Sequence, residues 1–263
     1  MRFLSVKLDL LKDSTYVKCG GKAFAAFAAL GFLIATGVSF WPVTIFLIIL
    51  GTIYFSESAE RKSLRMSFWF TVFSGIFGAA AIPALPPGFL FYLISFLTAL
   101  MFGGLIFLVL GVTNLVFRHR FVVFNILNTA LAACLFLLLF YFKPDFLSGV
   151  FPVVFWFLAV FWVAGLLMKE VLVFGDPLSR GRNLRIITWT FGFLTAELAA
   201  LCAFLPFGFI NSTAFLTLLY ILGRDVILAR LRGFLDVPLV LRELAILAVF
   251  ASIVFATVAW TIP

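Results

Sequence analysis

Charge is what this chain has least of. Asp, Glu, Lys and Arg together make up 11% of its 263 residues, against about 25% in soluble domains, and that shortage excludes a water-soluble fold with an ordinary charged surface. Histidine occurs once and cysteine three times. A lone histidine excludes the His-rich zinc sites, which need several ligands at set spacings. Cys19, Cys134 and Cys202 form no CxxC pair, so neither a disulfide framework nor a metal ribbon is written into the chain. Also missing are a Walker loop, HExxH, a strand-borne GxGxxG, a Gly-x-Ser-x-Gly elbow and an acidic cluster able to hold Mg²⁺ beside a phosphate. The chain therefore reads as a non-enzyme with no metal and no cofactor.

Apolar side chain is present in excess. Hydrophobic residues make up 65% of the chain, 37 of them Phe, and the mean hydropathy is +1.23; soluble domains carry about 45–50% apolar residues. A soluble core could not hide that much hydrocarbon, so the solvent is lipid. The net charge of +8 is dispersed over short connectors between apolar runs, the pattern of topology signals and not of a nucleic-acid face. Residues 1–21 alternate charged and apolar side chains and lack the uninterrupted apolar stretch of a cleavable signal peptide. They read as an interfacial segment retained on the cytoplasmic side.

A helix needs about 20 apolar residues to cross the hydrocarbon core. Nine spans fit, over residues 22–39, 41–56, 67–84, 89–117, 121–142, 150–168, 186–204, 209–223 and 244–260, with the first two separated at Trp41-Pro42. The fourth run is long enough to tilt strongly or to break at Gly103-Gly104. This threading puts all but one of the nineteen Lys and Arg residues on one side, with Lys143 alone opposite. Positive charge stays inside, so the N-terminus is cytoplasmic and the C-terminus outside. Trp41, Trp69, Trp189 and Trp260 fall at span ends, as in an aromatic belt. The fold class is an all-α, polytopic transmembrane bundle, and a bacterial-type cytoplasmic membrane is the expected location.

Two stretches about 120 residues apart match in order and spacing, which points to a duplication. Arg65-x3-Trp69 answers Arg185-x3-Trp189, Leu85-Pro86-Pro87-Gly88-Phe89 answers Leu205-Pro206-Phe207-Gly208-Phe209, and Pro42-Val43 answers Pro152-Val153. Four spans per copy make a parallel repeat, over residues 22–117 and 118–223. Residues 224–242 are amphipathic and read either as a segment along the cytoplasmic interface or as a prolongation of the eighth helix out of the bilayer, and 243–263 form the ninth helix. Small residues at Gly75, Ala79, Ala196, Ala199, Ala200 and Ala203 mark faces where helices can approach closely.

Glu197 is the one carboxylate placed near mid-span, where it calls for protonation, a partner or water and is a functional candidate. Asn125, Asn128 and Thr129 of the fifth span are its candidate partners, Asn125 and Thr129 sharing a face by their four-residue spacing. Arg118, His119, Arg120, Arg230 and Arg232 are candidate contacts for anionic lipid. Arg224 and Asp225 are placed at the inner end of the eighth span. The expected partners are membrane lipid and a protein docking at the cytoplasmic face, and no nucleic acid. Two functions follow. One is passage of a small solute or lipid between the two repeats, lined by Glu197 and the amides. The other is a non-catalytic accessory or scaffold subunit of a membrane complex.

Overall fold

The computed structural model describes residues 14–56, 64–114, 116–144, 149–175, 182–205, 208–233 and 236–257. The apolar runs fold as nine α-helices among these residues, with no strand. They are α1 Ser14–Thr36, α2 Phe40–Phe55, α3 Arg65–Ala81 with a 3-10 turn Ile82–Ala84, α4 Phe89–Thr113, α5 Arg120–Tyr141, α6 Val150–Gly175, α7 Arg182–Phe204, α8 Phe209–Leu231 and α9 Val237–Thr257. Six of them, α1 and α3 to α7, are long and apolar enough to cross a membrane. Their outward faces carry large apolar side chains, among them Phe89, Phe151 and Phe155, far more than a soluble monomer tolerates. The chain is all-helical, with the makings of a multi-pass integral membrane protein.

Several boundaries differ from those read in the sequence. The first helix already begins at Ser14, so residues 14–21 belong to it; residues 1–13 lie outside the described residues. It ends at Thr36, because Gly37 takes a left-handed φ of 81° that other residues rarely adopt, and Ser39 then precedes α2 as its N-cap. The break thus precedes Trp41-Pro42. Helix α4 runs unbroken through Gly103-Gly104. Helix α6 continues past Met168 to Gly175 because its inward stripe of Trp156, Val160, Ala164 and Leu167 continues through Val171, while Lys169 points outward. The first part of the stretch 224–242 prolongs α8 to Leu231, Gly233 turns the chain with φ 73°, and α9 already starts at Val237.

The chain divides into two compact units, residues 1–127 and 128–263, with the division inside α5. In unit 1, α1 and α4 pack antiparallel. Cys19, Ala23, Ala26, Leu30 and Leu33 recur on one buried stripe of α1 at separations of four and three, the seam spacing of paired helices. A Cβ on Gly103 would lie 2.9 Å from Phe27 Cβ and 3.3 Å from the Ala23 carbonyl, so glycine is what allows this approach. The pair is tied at one end, where the Tyr16 hydroxyl donates to the Val116 carbonyl at 2.6 Å. Gly75 of α3 accepts the ring of Phe102 from α4, which also packs on Phe46 of α2. Arg120 donates through Nε and Nη2 to the Val112 carbonyl, at 3.3 and 3.1 Å, placing positive charge on the C-terminal carbonyls of α4.

In unit 2, α6 and α7 meet most closely where Gly165 faces Gly192. A Cβ on Gly192 would lie 2.7 Å from the Phe161 carbonyl and 3.1 Å from Gly165 Cα. The direction of the helices alternates. Trp156 Nε1 near the start of α6 donates to the Leu139 carbonyl near the end of α5, and Lys143 donates to the Ala203 carbonyl at the end of α7. Tyr141 and Phe209 meet where α5 ends and α8 begins. Helix α8 packs on α7 and α9. The matched motifs occupy equivalent places: Pro42 and Pro152 are each the third residue of their helix, and Gly88 and Gly208 each precede the next. Trp69 packs on Tyr54 of α2, and Trp189 on Phe161 of α6. The tightest pair differs, α1 with α4 in one unit and α6 with α7 in the other, because the Gly165 and Gly192 contact has no counterpart in unit 1.

Candidate functional site

In lipid a helix can leave its apolar side chains outward, but each polar group must find a partner inside. Helix α8 obeys this rule along most of its length. Thr213, Thr217, Tyr220 and Arg224 recur at separations of four, three and four, all buried, so they lie on one inward face. By helix rise this seam runs roughly 16 Å, about half of a hydrocarbon core about 30 Å thick. Its polarity also explains why α8 is not among the six helices apolar enough to span by composition alone.

Arg224 anchors the seam. It is 4% exposed, and its Nη1 donates to Asn128 Oδ1 at 3.2 Å and to Thr129 Oγ1 at 3.0 Å, both on α5. Its Nε meets Asp225 Oδ1 at 2.9 Å, and Asp225 itself is 43% exposed. One turn earlier in α8, the Tyr220 hydroxyl donates to the same Asn128 oxygen at 3.1 Å. The amide nitrogen of Asn128 reaches the Leu167 carbonyl on α6 at 3.5 Å, so one asparagine joins three helices. Phe136 and Phe191 pack edge-on against the Tyr220 ring and fix its direction. Glu170 of α6 is buried within electrostatic reach of the phenol.

Above Tyr220 the seam is less tightly satisfied. The Thr213 hydroxyl donates to its own helix at Phe209, and Ser212 Oγ reaches the Cys202 carbonyl at 3.5 Å. Thr217 makes no such bond: its buried Oγ1 has no hydrogen-bond partner among the described residues. A threonine in a helix ordinarily bonds the carbonyl four residues back, as Thr195 and Thr213 do. Thr217 instead leaves a polar atom free midway along a polar face.

The structure separates the residues grouped from the sequence. Asn128 and Thr129 come together, but around Arg224 and not Glu197. Asn125 is half-buried on the preceding turn of α5 and belongs to unit 1. Glu197 is exposed on the outer face of α7 and has no partner among the described residues. Arg118 and His119 are exposed before α5, Arg120 is engaged with α4, and Arg230 and Arg232 are exposed at the end of α8. Sequence reasoning missed the α8 seam and Glu170. The seam was present as the four-three-four spacing of Thr213, Thr217, Tyr220 and Arg224; Glu170 was read as part of a connector and gave no signal. Comparison of the chain with known protein families, with curated proteins and with solved structures finds no match.

Proposed function

We propose that this chain is a nine-span integral membrane protein, two four-helix repeats followed by a ninth helix, that passes a small anionic solute or lipid headgroup along the polar face of α8. The observation that carries the reading is the unpaired Thr217 hydroxyl on a buried seam that leads to the Arg224 guanidinium. Ionisable groups inside membrane helices commonly mark substrate and ion pathways. A guanidinium suits an oxyanion, and Arg224 would receive one by exchanging its bonds to Asp225, Asn128 and Thr129. Asn128, Thr129 and Tyr220 supply exchangeable hydrogen bonds beside it. The N-terminus lies inside, the C-terminus outside, and a bacterial-type cytoplasmic membrane fits the distribution of Lys and Arg.

The test is flux through vesicles containing the purified protein, with phosphate and acetate as solutes and a fluorescent phosphatidylglycerol as lipid. Thr217→Val removes the free hydroxyl and keeps the shape. Passage predicts a drop of tenfold or more in flux with unchanged or raised thermal stability; unchanged flux defeats the reading. Arg224→Lys keeps the charge but loses the planar fork, and is expected to lower flux as well.

A second reading has its own observation. Arg224 Nε and Nη1 are already held by protein oxygens, the arrangement of a network that locks helices together. In that case the chain is a non-catalytic accessory or scaffold subunit, with exposed Arg118, His119, Arg230 and Arg232 meeting anionic lipid or a protein at the cytoplasmic face. Arg224 variants then lose stability and complex formation while no solute or lipid moves in any of them.

A further inference from the structure

The guanidinium of Arg224 meets two different surroundings. Its Nη1 donates to Asn128 and Thr129 on α5, at 3.2 and 3.0 Å. Its Nε donates to Asp225 Oδ1 at 2.9 Å, and there the partner is half-exposed while the arginine is buried. Residues next to each other on a helix point about 100° apart and do not face each other. Asp225 therefore stands off the polar seam that Arg224 ends, and its carboxylate lies against Nε only because the side chain turns back toward it. The two residues follow directly on the eighth span read from the sequence, residues 209–223, so the open side of Asp225 meets water at the membrane interface and not hydrocarbon.

We infer that Asp225 occupies the place of the protein's ligand, and that this ligand is a small monocarboxylate, which takes the place when the Asp225 side chain swings into water. The inference rests on the reading of Arg224 as an oxyanion site and names what that site takes. The carboxylate that the chain itself supplies shows which group the Nε side of the guanidinium holds: planar, singly charged and small enough to lie beside the helix. Exchange also keeps the charges balanced. Arg224 with Asp225 is one positive charge against one negative, and a monocarboxylate restores that sum once Asp225 is hydrated. A dianion would leave a surplus charge at a buried site, where the low dielectric penalises it. Asn128 also accepts from Tyr220, so the exchange begins at Asp225, the partner with an open side.

The experiment reads binding alone. A ligand held only by the folded chain raises its unfolding midpoint, so the purified full chain is unfolded over a series of sodium acetate concentrations, with sodium chloride and sodium sulfate at matched ionic strength. Acetate is expected to stabilise the wild type more than either. Asp225→Asn keeps the shape and removes the competing charge, and is expected to bind acetate about tenfold tighter. Asp236→Asn, which removes the same charge from the exposed residue before α9, is expected to change nothing. Unchanged acetate affinity in Asp225→Asn overturns the proposal, as does sulfate bound as tightly as acetate or an Asp236→Asn variant that tightens equally. If Asp225→Asn does not fold without ligand, acetate is expected to restore folding where sulfate does not, and no restoration overturns the proposal too. Failure of the passage reading looks different: acetate bound with this dependence on Asp225, and no flux in vesicles.

Discussion

Asn128 carries more of the unit 2 network than its size implies. Its oxygen accepts from both Tyr220 and Arg224, and its nitrogen reaches α6. Tyr220→Phe removes one donor from an oxygen that keeps another, so it should cost about 0.5–1 kcal/mol. Asn128→Leu removes the acceptor from two buried donors and should cost about 2–3 kcal/mol. Thermal unfolding in detergent orders the pair, and a Tyr220→Phe variant as weak as Asn128→Leu would show that the phenol holds the network instead. The two α5 residues were legible in the sequence as polar side chains inside an apolar run. Their partner was not. Arg224 sits near a span end, where an arginine ordinarily serves as an anchor, and only the rotation of α8 about its axis decides that it turns inward. The same argument applied to α7 carried Glu197 outward, away from the amides with which it was grouped.

Glycines separate tight helix pairs from loose ones. Gly103 and Gly104 are neighbours on α4, yet a Cβ on Gly103 would meet α1 at 2.9 Å while one on Gly104 meets nothing within 4 Å. Gly103→Ala is expected to cost about 1–3 kcal/mol by overpacking; Gly104→Ala should gain about 0.5–1 kcal/mol from helix propensity. Gly192→Ala should be worse than Gly104→Ala by a wide margin, since its obstacle is the backbone of α6, which cannot rotate aside. Unfolding midpoints of the three variants settle the order. From sequence, Gly103-Gly104 looked like a hinge in a long run. In the structure it is a contact, because Gly103 seats against Phe27 Cβ and the Ala23 carbonyl of α1 with no Cβ of its own to hold them off. Gly75 and Ala79 on α3 and Ala196, Ala199 and Ala203 on α7 are buried, as their spacing implied, whereas Ala200 is only half-buried, so the Ala196-x3-Ala200 spacing does not mark one buried face. The Gly165 and Gly192 pairing was not legible, since the two lie on different helices and nothing local links them.

For the whole molecule, the alternation of direction within each unit agrees with a chain that crosses back and forth. Reporters placed ahead of Met1 and in the connector around residue 178 are expected to score cytoplasmic, and one after Pro263 external. A reporter after Pro263 that scores cytoplasmic would remove one crossing or add one, and with it the odd count. Lys143, which the nine-span threading sets opposite every other Lys and Arg, donates to the Ala203 carbonyl at the end of α7. That bond gives it a helix-capping role whatever the topology. Replacing it with Met should therefore cost up to about 1 kcal/mol of stability while leaving the reporters where they were.

The medium, the helical class and the broad order of the apolar segments were set by composition and run length, because lipid leaves the backbone no alternative to helix and because about 20 residues are needed per crossing. Tertiary structure decided which stripe of each helix faces its neighbours. That choice is a rotation about an axis, controlled by contacts between residues far apart in the chain, such as Gly165 with Gly192, Cys19 with Asn114 and Arg224 with Asn128. It turned Arg224 and Thr217 into an interior site and left Glu197 facing outward.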